Sequence, residues 1–279
     1  MTKYKSPKTF DHHNLKLKNK LQKINSSCNK PKLILIGGFA INESLLKGFI
    51  EYLSQFFKIY YIDLPGHWKK AKTIKEVTLT NITKYVDRRI KKLKLKDYIL
   101  SGISFGFLVA SRTEAIKNAK GIAAIEPYID YKKLRMNEFK AKVAASIINV
   151  ICNTKNYKIA WDSKFLKIVL LNAGYKDNII KLMLEQTDPK SFFEIMRIIL
   201  TNKQSIKFYN KPYALIINKD DEFLNADKEI KEFKERARKL LLISSTSDHV
   251  PRNPTKSYFE KHLSRRDMRS IGEFINENS

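Results

Sequence analysis

From Pro31 onward, short apolar runs alternate with helix-compatible stretches, and this alternation restricts the fold more than any other feature of the sequence. Lys32-Leu33-Ile34-Leu35-Ile36 is almost continuously apolar and ends at Gly37-Gly38. A run of that kind reads as a strand buried on both faces. A helical pattern follows from about Glu43 to Phe57, then a second buried strand, Ile59–Ile62. From about Asn81 to Leu93, the apolar residues Ile82, Tyr85, Val86, Ile90 and Leu93 fall on one stripe at helical spacing. Tyr98–Leu100 and Gly121–Ile125 supply two more strands. Strands that alternate with helices imply a parallel sheet covered on both faces, the α/β class.

The alternation stops at about residue 128. From there to about 209 the pattern is helical throughout, with stripes such as Phe165, Ile168, Val169, Leu170 and Phe192, Phe193, Ile195, Met196, Ile199, Leu200. This stretch is too long for a loop and reads as an inserted helical lid. Alternation resumes with Tyr213–Ile217, a helix near Lys228–Arg238, a last strand at Leu240–Ile243 and a helical segment from about Thr255 to Asn276. The expected organisation is therefore a core of residues 31–127 and 210–279, a lid of 128–209, and a basic N-terminal arm of 1–30. Within the arm, Leu15-Lys16-Leu17-Lys18 also fits a short edge strand. The adjacent His12 and His13 have no Cys, Asp or Glu cluster to complete a metal site.

Chemistry concentrates at Gly102-Ile103-Ser104-Phe105-Gly106, between a strand-like run and the apolar stretch Phe107–Ser111. Strand, sharp turn and helix in that order are what a nucleophile elbow requires. The turn strains the serine backbone, and its tightness leaves no room for side chains at the flanking glycines. The helix that follows aims its N-terminus at any negative charge forming beside the serine.

Composition bounds the setting. The 279 residues are 43% hydrophobic, enough for one large core. Two cysteines, Cys28 and Cys152, make neither a disulfide framework nor a metal spacing, so a reducing, cytoplasmic location is expected. The apolar run Val143–Cys152 is too short to span a bilayer. The formal net charge of +26 fits an acidic partner, but lysines spread along the whole chain in an Ile- and Asn-rich sequence fit a compositional bias better. No zinc-finger spacing or nucleic-acid signature accompanies the charge, and nucleic acid is not an expected partner.

Four motifs in order give the chain, over about residues 31–276, a resemblance to the α/β-hydrolase family. Leu35-Ile36-Gly37-Gly38-Phe39-Ala40 resembles the family's His-Gly-x segment, with Gly37 where His is usual. Tyr61-Ile62-Asp63-Leu64-Pro65-Gly66-His67 resembles its Asp-x-Pro-Gly-His-Gly turn, with Trp68 in place of the last glycine. The elbow is the third motif. The fourth is split between Asn218-Lys219-Asp220-Asp221, similar to a Gly-x-x-Asp turn, and Ser247-Asp248-His249, where Asp248 stands for a glycine. Asparagine at 218 tolerates unusual backbone angles, as the glycine it replaces does.

The resemblance implies a nucleophile at Ser104, an acid at Asp221 and a base at His249, in the chain order that this fold imposes. It implies an oxyanion hole from the N–H groups of Phe39 and Phe105, and a structural role for His67. Glu126, at the end of the fourth strand, is the rival acid, because some members of the family draw theirs from there. Of the remaining histidines, His262 falls in the terminal helical segment, where a surface role is expected. The residue types suit the chemistry, because serine needs a base, histidine titrates near neutrality, and a carboxylate fixes the imidazole tautomer. The implied activity is hydrolysis of a small-molecule ester or thioester through an acyl-enzyme, with no metal or cofactor; the mixed apolar and cationic lid would also suit an acyl chain on an acidic carrier such as an acyl-carrier protein or coenzyme A. A ligand-binding relative without turnover and an acyltransferase on the same triad are the alternatives.

Overall fold

A computed structural model of the protein describes residues 30–68, 73–172, 175–249 and 254–279. The expectations for the N-terminal arm, including the edge strand and His12–His13, fall outside these residues, as does Cys28. Six strands form one sheet: β1 (Lys32–Ile36), β2 (Lys58–Ile62), β3 (Tyr98–Ile103), β4 (Gly121–Ile125), β5 (Pro212–Asn218) and β6 (Lys239–Ser245). Their order is β2-β1-β3-β4-β5-β6, and every pairing is parallel. The strand order reverses between β1 and β3. Ligand crevices in open α/β sheets lie at such a switch point, outside the carboxyl ends of the strands.

Side chains alternate across the sheet with period two. Ile34, Ile36, Leu100, Ile122, Ala124, Leu215 and Ile217 face one core layer; Leu33, Leu35, Ile99, Ala123, Ala214 and Ile216 face the other. The first layer is closed by α2 (Leu79–Leu93), α3 (Phe105–Ala110) and α9 (Ala226–Arg236), through Ile82, Val86, Phe107 and Phe233. The second is closed by α1 (Glu43–Leu53), α10 (Lys256–His262) and α11 (Arg265–Asn278), through Phe49, Tyr52, Phe259 and Ile271. Doubly covered central strands are why β1, β3, β4 and β5 read as continuous apolar runs.

Four details depart from the sequence reading. β2 lies at the sheet edge, so Tyr60 and Tyr61 are half-buried rather than enclosed. α1 stops at Leu53, because the chain must turn back through Phe57 to pair Lys58 with Lys32. The terminal helical segment is two helices, and the Ser264 hydroxyl caps the second by accepting from the Asp267 N–H. Between β4 and β5, α-helix among the described residues is confined to α4 (Glu138–Thr154), α5 (Tyr157–Trp161), α6 (Lys164–Asn172), α7 (Asp177–Gln186) and α8 (Pro189–Thr201), with one 3₁₀ turn at Tyr131–Lys133. The segments before and after are mostly irregular. Lys133 and Arg135 pair through their backbones with Asn225 and Phe223, which ties the entry to the insert to the loop after β5.

The insert has its own small core. Ile148, Cys152, Leu170, Met183, Phe192 and Phe193 are buried together, with Trp161 packed edge-on against both phenylalanines. Phe192 and Phe193 thus pack the insert, whereas Tyr128 belongs to the main core. Of the stripe Phe165, Ile168, Val169 and Leu170, the first three face solvent, at 61%, 53% and 40% exposure, and Leu170 turns inward together with Leu166. No helix among the described residues is long and apolar enough to cross a membrane.

Candidate active site

Three loops at the carboxyl ends of β3, β5 and β6 bring Ser104, Asp221 and His249 together. Ser104 follows β3 directly and has φ 49°, ψ −123°. A non-glycine residue held there stores strain, which persists only where the surroundings enforce it. They do so here. The Ser104 N–H donates to the Ile125 carbonyl at 2.9 Å, and its own carbonyl accepts from Phe107 N–H at 2.9 Å. A Cβ on Gly102 would sit 2.5 Å from the Phe107 nitrogen, and one on Gly106 would collide with the Gly37 carbonyl oxygen. The two glycines let α3 start against β1 and β3 with no gap. Gly106→Ala is therefore expected to cost roughly 1–3 kcal/mol of stability, read as a lowered urea midpoint; an unchanged midpoint would contradict this packing.

The hydrogen bonds form a row. Ser104 Oγ donates to His249 Nε2 at 3.1 Å, and His249 Nδ1 donates to Asp221 Oδ2 at 2.7 Å. The other carboxylate oxygen of Asp221 accepts from the N–H groups of Phe223 and Leu224, each at 2.7 Å. Asp221 is wholly buried. Arg135, from the entry to the insert, donates to the Asp221 carbonyl at 2.7 Å and braces the same loop. Nothing in the local sequence around Arg135 pointed to this contact.

The neighbouring Asp220 is exposed, and its N–H closes a turn onto the Asn218 side chain. Asn218 has no left-handed backbone, so the glycine-like freedom expected of it is not what it supplies. Its N–H donates to both carboxylate oxygens of Glu126, and its Nδ2 donates to the Ser247 carbonyl at 3.0 Å. It thereby links the β4, β5 and β6 ends that surround His249. Glu126 itself lies behind the row, buried and at φ 41°.

The charges around the imidazole set its behaviour. Burial alone would push the His249 pKa down, but the hydrogen bond and charge of Asp221, helped by Glu126 and Glu222, outweigh it and hold the pKa above the ordinary value. Burial would raise Asp221, yet the bond and charge of His249 and the two backbone N–H groups keep it below the usual carboxylate range. Burial pushes the Glu126 pKa up to about 8, against the backbone N–H of Asn218. Burial likewise pushes up Glu229, whose two oxygens find no partner among the described residues and which feels Asp221 and Glu126.

A base must be neutral to accept a proton, so a raised pKa keeps His249 inactive up to a higher pH. The acid limb of kcat/KM is expected to have its midpoint above about 6.5, with activity lost as pH falls through it. A pH–rate profile with a midpoint below that value would contradict the sign.

Glu126, Asp221 and His249 present ligand atoms within 4.8 Å of one another and form a group that could hold a metal ion. Asp221 and His249 already spend those atoms on each other, and Glu126 holds Asn218. The other predicted positions are placed as follows. Phe105 opens α3, so its N–H has no carbonyl four residues back within that helix. Phe39 lies in the turn after β1, between the His67 ring at 5.9 Å and Phe192 at 4.8 Å. Gly37 is glycine because a Cβ there would strike the Tyr61 hydroxyl, which occupies that space. His67 is fully buried, donates from Nδ1 to the Pro65 carbonyl at 3.2 Å, and has its pKa lowered to about 4 by burial. A neutral, enclosed ring suits the structural role expected of it. His262 bonds the Thr246 side chain at 2.9 Å, at the end of α10.

No family model matches the chain. It is 25% identical over 160 residues to the pimeloyl-[acyl-carrier protein] methyl ester esterase of Wigglesworthia glossinidia brevipalpis, a stretch that is 53% of this chain and 56% of that protein. The chain thus spans about half the length of the curated relative it matches. Among solved structures it is similar to an epoxide hydrolase of Bacillus megaterium, at TM-score 0.61 and 14% identity over 89% of this chain and 94% of the other. MenH of S. aureus superposes at TM-score 0.57 and 16% identity over 90% and 96% of the two chains. A thermophilic esterase of Thermogutta terrifontis does so at 0.59 and 12%, over 88% and 90%. With its parallel sheet, the reversal of strand order between β1 and β3 and the strained serine turn after β3, this chain has the α/β-hydrolase fold.

Proposed function

We propose that the protein is a serine hydrolase that cleaves a carboxylic ester or thioester through an acyl-enzyme. The observation that carries this reading is the row Ser104 Oγ–His249 Nε2–His249 Nδ1–Asp221 Oδ2, at 3.1 and 2.7 Å, built on a strained serine. Ser104 is the nucleophile and attacks the carbonyl carbon as its proton passes to His249 Nε2. Asp221 holds the imidazole tautomer and offsets the charge of the imidazolium. The N–H groups of Phe39 and Phe105 donate to the carbonyl oxygen as negative charge develops on it. His249 then gives its proton to the departing oxygen or sulfur, and a water molecule activated by the same ring releases the acid.

The helical insert, 128–209, acts in this reading as a lid that shapes substrate entry. The substrate is a small-molecule ester or thioester. An acidic carrier on the substrate is supported by the name of the Wigglesworthia relative, an esterase of an acyl-carrier-protein conjugate. A cytoplasmic setting is supported by Cys152, a free and buried thiol. The mechanism is tested by stopped-flow hydrolysis of a p-nitrophenyl ester. A burst of p-nitrophenol close to one equivalent per protein, ahead of a slower steady rate, is expected when acylation outpaces deacylation. Hydrolysis whose product never passes through a protein-bound acyl group, seen as no adduct in acid-quenched protein, would overturn the acyl-enzyme.

A further inference from the structure

Large apolar side chains are exposed almost exclusively in one stretch of the chain. Among the described residues, all of them except Leu242 lie between residues 136 and 171. On α4, Phe139, Val143, Ile147 and Val150 follow one another at helical spacing and so share one face. Phe139 is 75% exposed and Val150 62%. The opposite face of α4 carries Ala141, Ile148 and Cys152, which are buried, the last two in the core of the insert. α4 is therefore apolar on two faces and has protein against only one of them. Helices apolar all round are normally covered all round. Scattered exposed apolar residues need no account, but a concentration of this kind marks an interaction surface.

The charges beside this face select its partner. Lys140 and Lys142 flank the apolar stripe, one on each side of it, and both are exposed. Residues 138–172 hold six lysines, no arginine and two acidic residues, Glu138 and Asp162. Glu138 is paired with Lys142 at 2.9 Å; Lys140 has no carboxylate partner among the described residues. A second copy of the chain would set these lysines against their own equivalents, which like-charge repulsion opposes. Protein interfaces are enriched in arginine, whose fork fixes a geometry, and depleted in lysine. An anionic lipid surface suits both features of α4. Its apolar side chains can enter the boundary between headgroups and acyl chains, while the flexible lysine stems reach the phosphates. We propose that the exposed face of α4 docks on an anionic lipid surface. Docking of this face is independent of the chemistry at Ser104.

The test is sedimentation of the full chain with vesicles of phosphatidylcholine, alone or mixed in equal parts with phosphatidylglycerol. Wild type is expected to bind the mixed vesicles, to leave the neutral ones, and to be released as salt is raised. Phe139→Ser combined with Val150→Ser is expected to lower the partition by about tenfold or more, and Lys140→Gln by about fivefold. All three side chains are exposed, so the urea midpoints should match wild type and separate lost docking from lost folding. Absence of binding to the mixed vesicles overturns the proposal. Equal binding by the wild type and the doubly substituted protein places the contact on another basic segment and overturns it as well. Self-association of the wild type that the double substitution abolishes assigns the face to a second copy. Equal affinity for poly-glutamate and for the mixed vesicles assigns it to an acidic polypeptide. Either of these two results overturns the lipid assignment.

Discussion

Ser104→Ala is expected to lower kcat on an ester by roughly 10⁶-fold, the scale of loss when the nucleophile of such a row is removed. The substitution deletes one oxygen and leaves the Cβ, so the backbone at φ 49° is asked to do nothing new. The Ser104 N–H and carbonyl keep their bonds to Ile125 and Phe107. Folding should therefore be indistinguishable from wild type by urea titration, which separates loss of chemistry from loss of structure. A mutant that retains more than about 1% of turnover, after contaminating esterase has been excluded by titration, would assign the nucleophile elsewhere.

The second large effect separates the two buried carboxyl groups. Asp221→Asn is expected to lower kcat by about 10⁴-fold. The amide presents an N–H or an oxygen in place of a carboxylate, favours the wrong imidazole tautomer and removes the charge that sustains the imidazolium. Glu126→Gln is expected to cost less than about tenfold, because the Glu126 carboxyl bonds the Asn218 N–H rather than the imidazole. Glutamine keeps an acceptor for that N–H. The reverse pattern, with Asp221→Asn active and Glu126→Gln inactive, would exchange the two roles.

Much of this was legible beforehand because the central strands are covered on both faces. β1 and β4 end where their apolar runs end, at Lys32–Ile36 and Gly121–Ile125. The edge strand β2 misled, because an apolar run does not report whether its second neighbour exists. The positions of Ser104, Asp221 and His249 follow from the residues that each strand end requires. What surrounds them does not. Arg135 and Asn218 act through long-range contacts, with the Asp221 carbonyl and the Ser247 carbonyl, and no local period or turn signal encodes such pairs. The absence of histidine at 37 became intelligible only once Tyr61 was seen to fill its place. The insert was recognisable as helical from its spacing. Which of its apolar residues face inward depends on what α4, α6 and α8 meet: of Phe165, Ile168, Val169 and Leu170, only Leu170 is buried.

Labelling with a fluorophosphonate reads out whether His249 and Asp221 activate Ser104. The folded wild-type protein is predicted to take up one equivalent, mapped by peptide mass spectrometry to the segment that contains Ser104. Ser104→Ala should take up none, and His249→Ala should label far more slowly. A folded wild type that stays unlabelled, or a label that maps to another residue, would contradict the account.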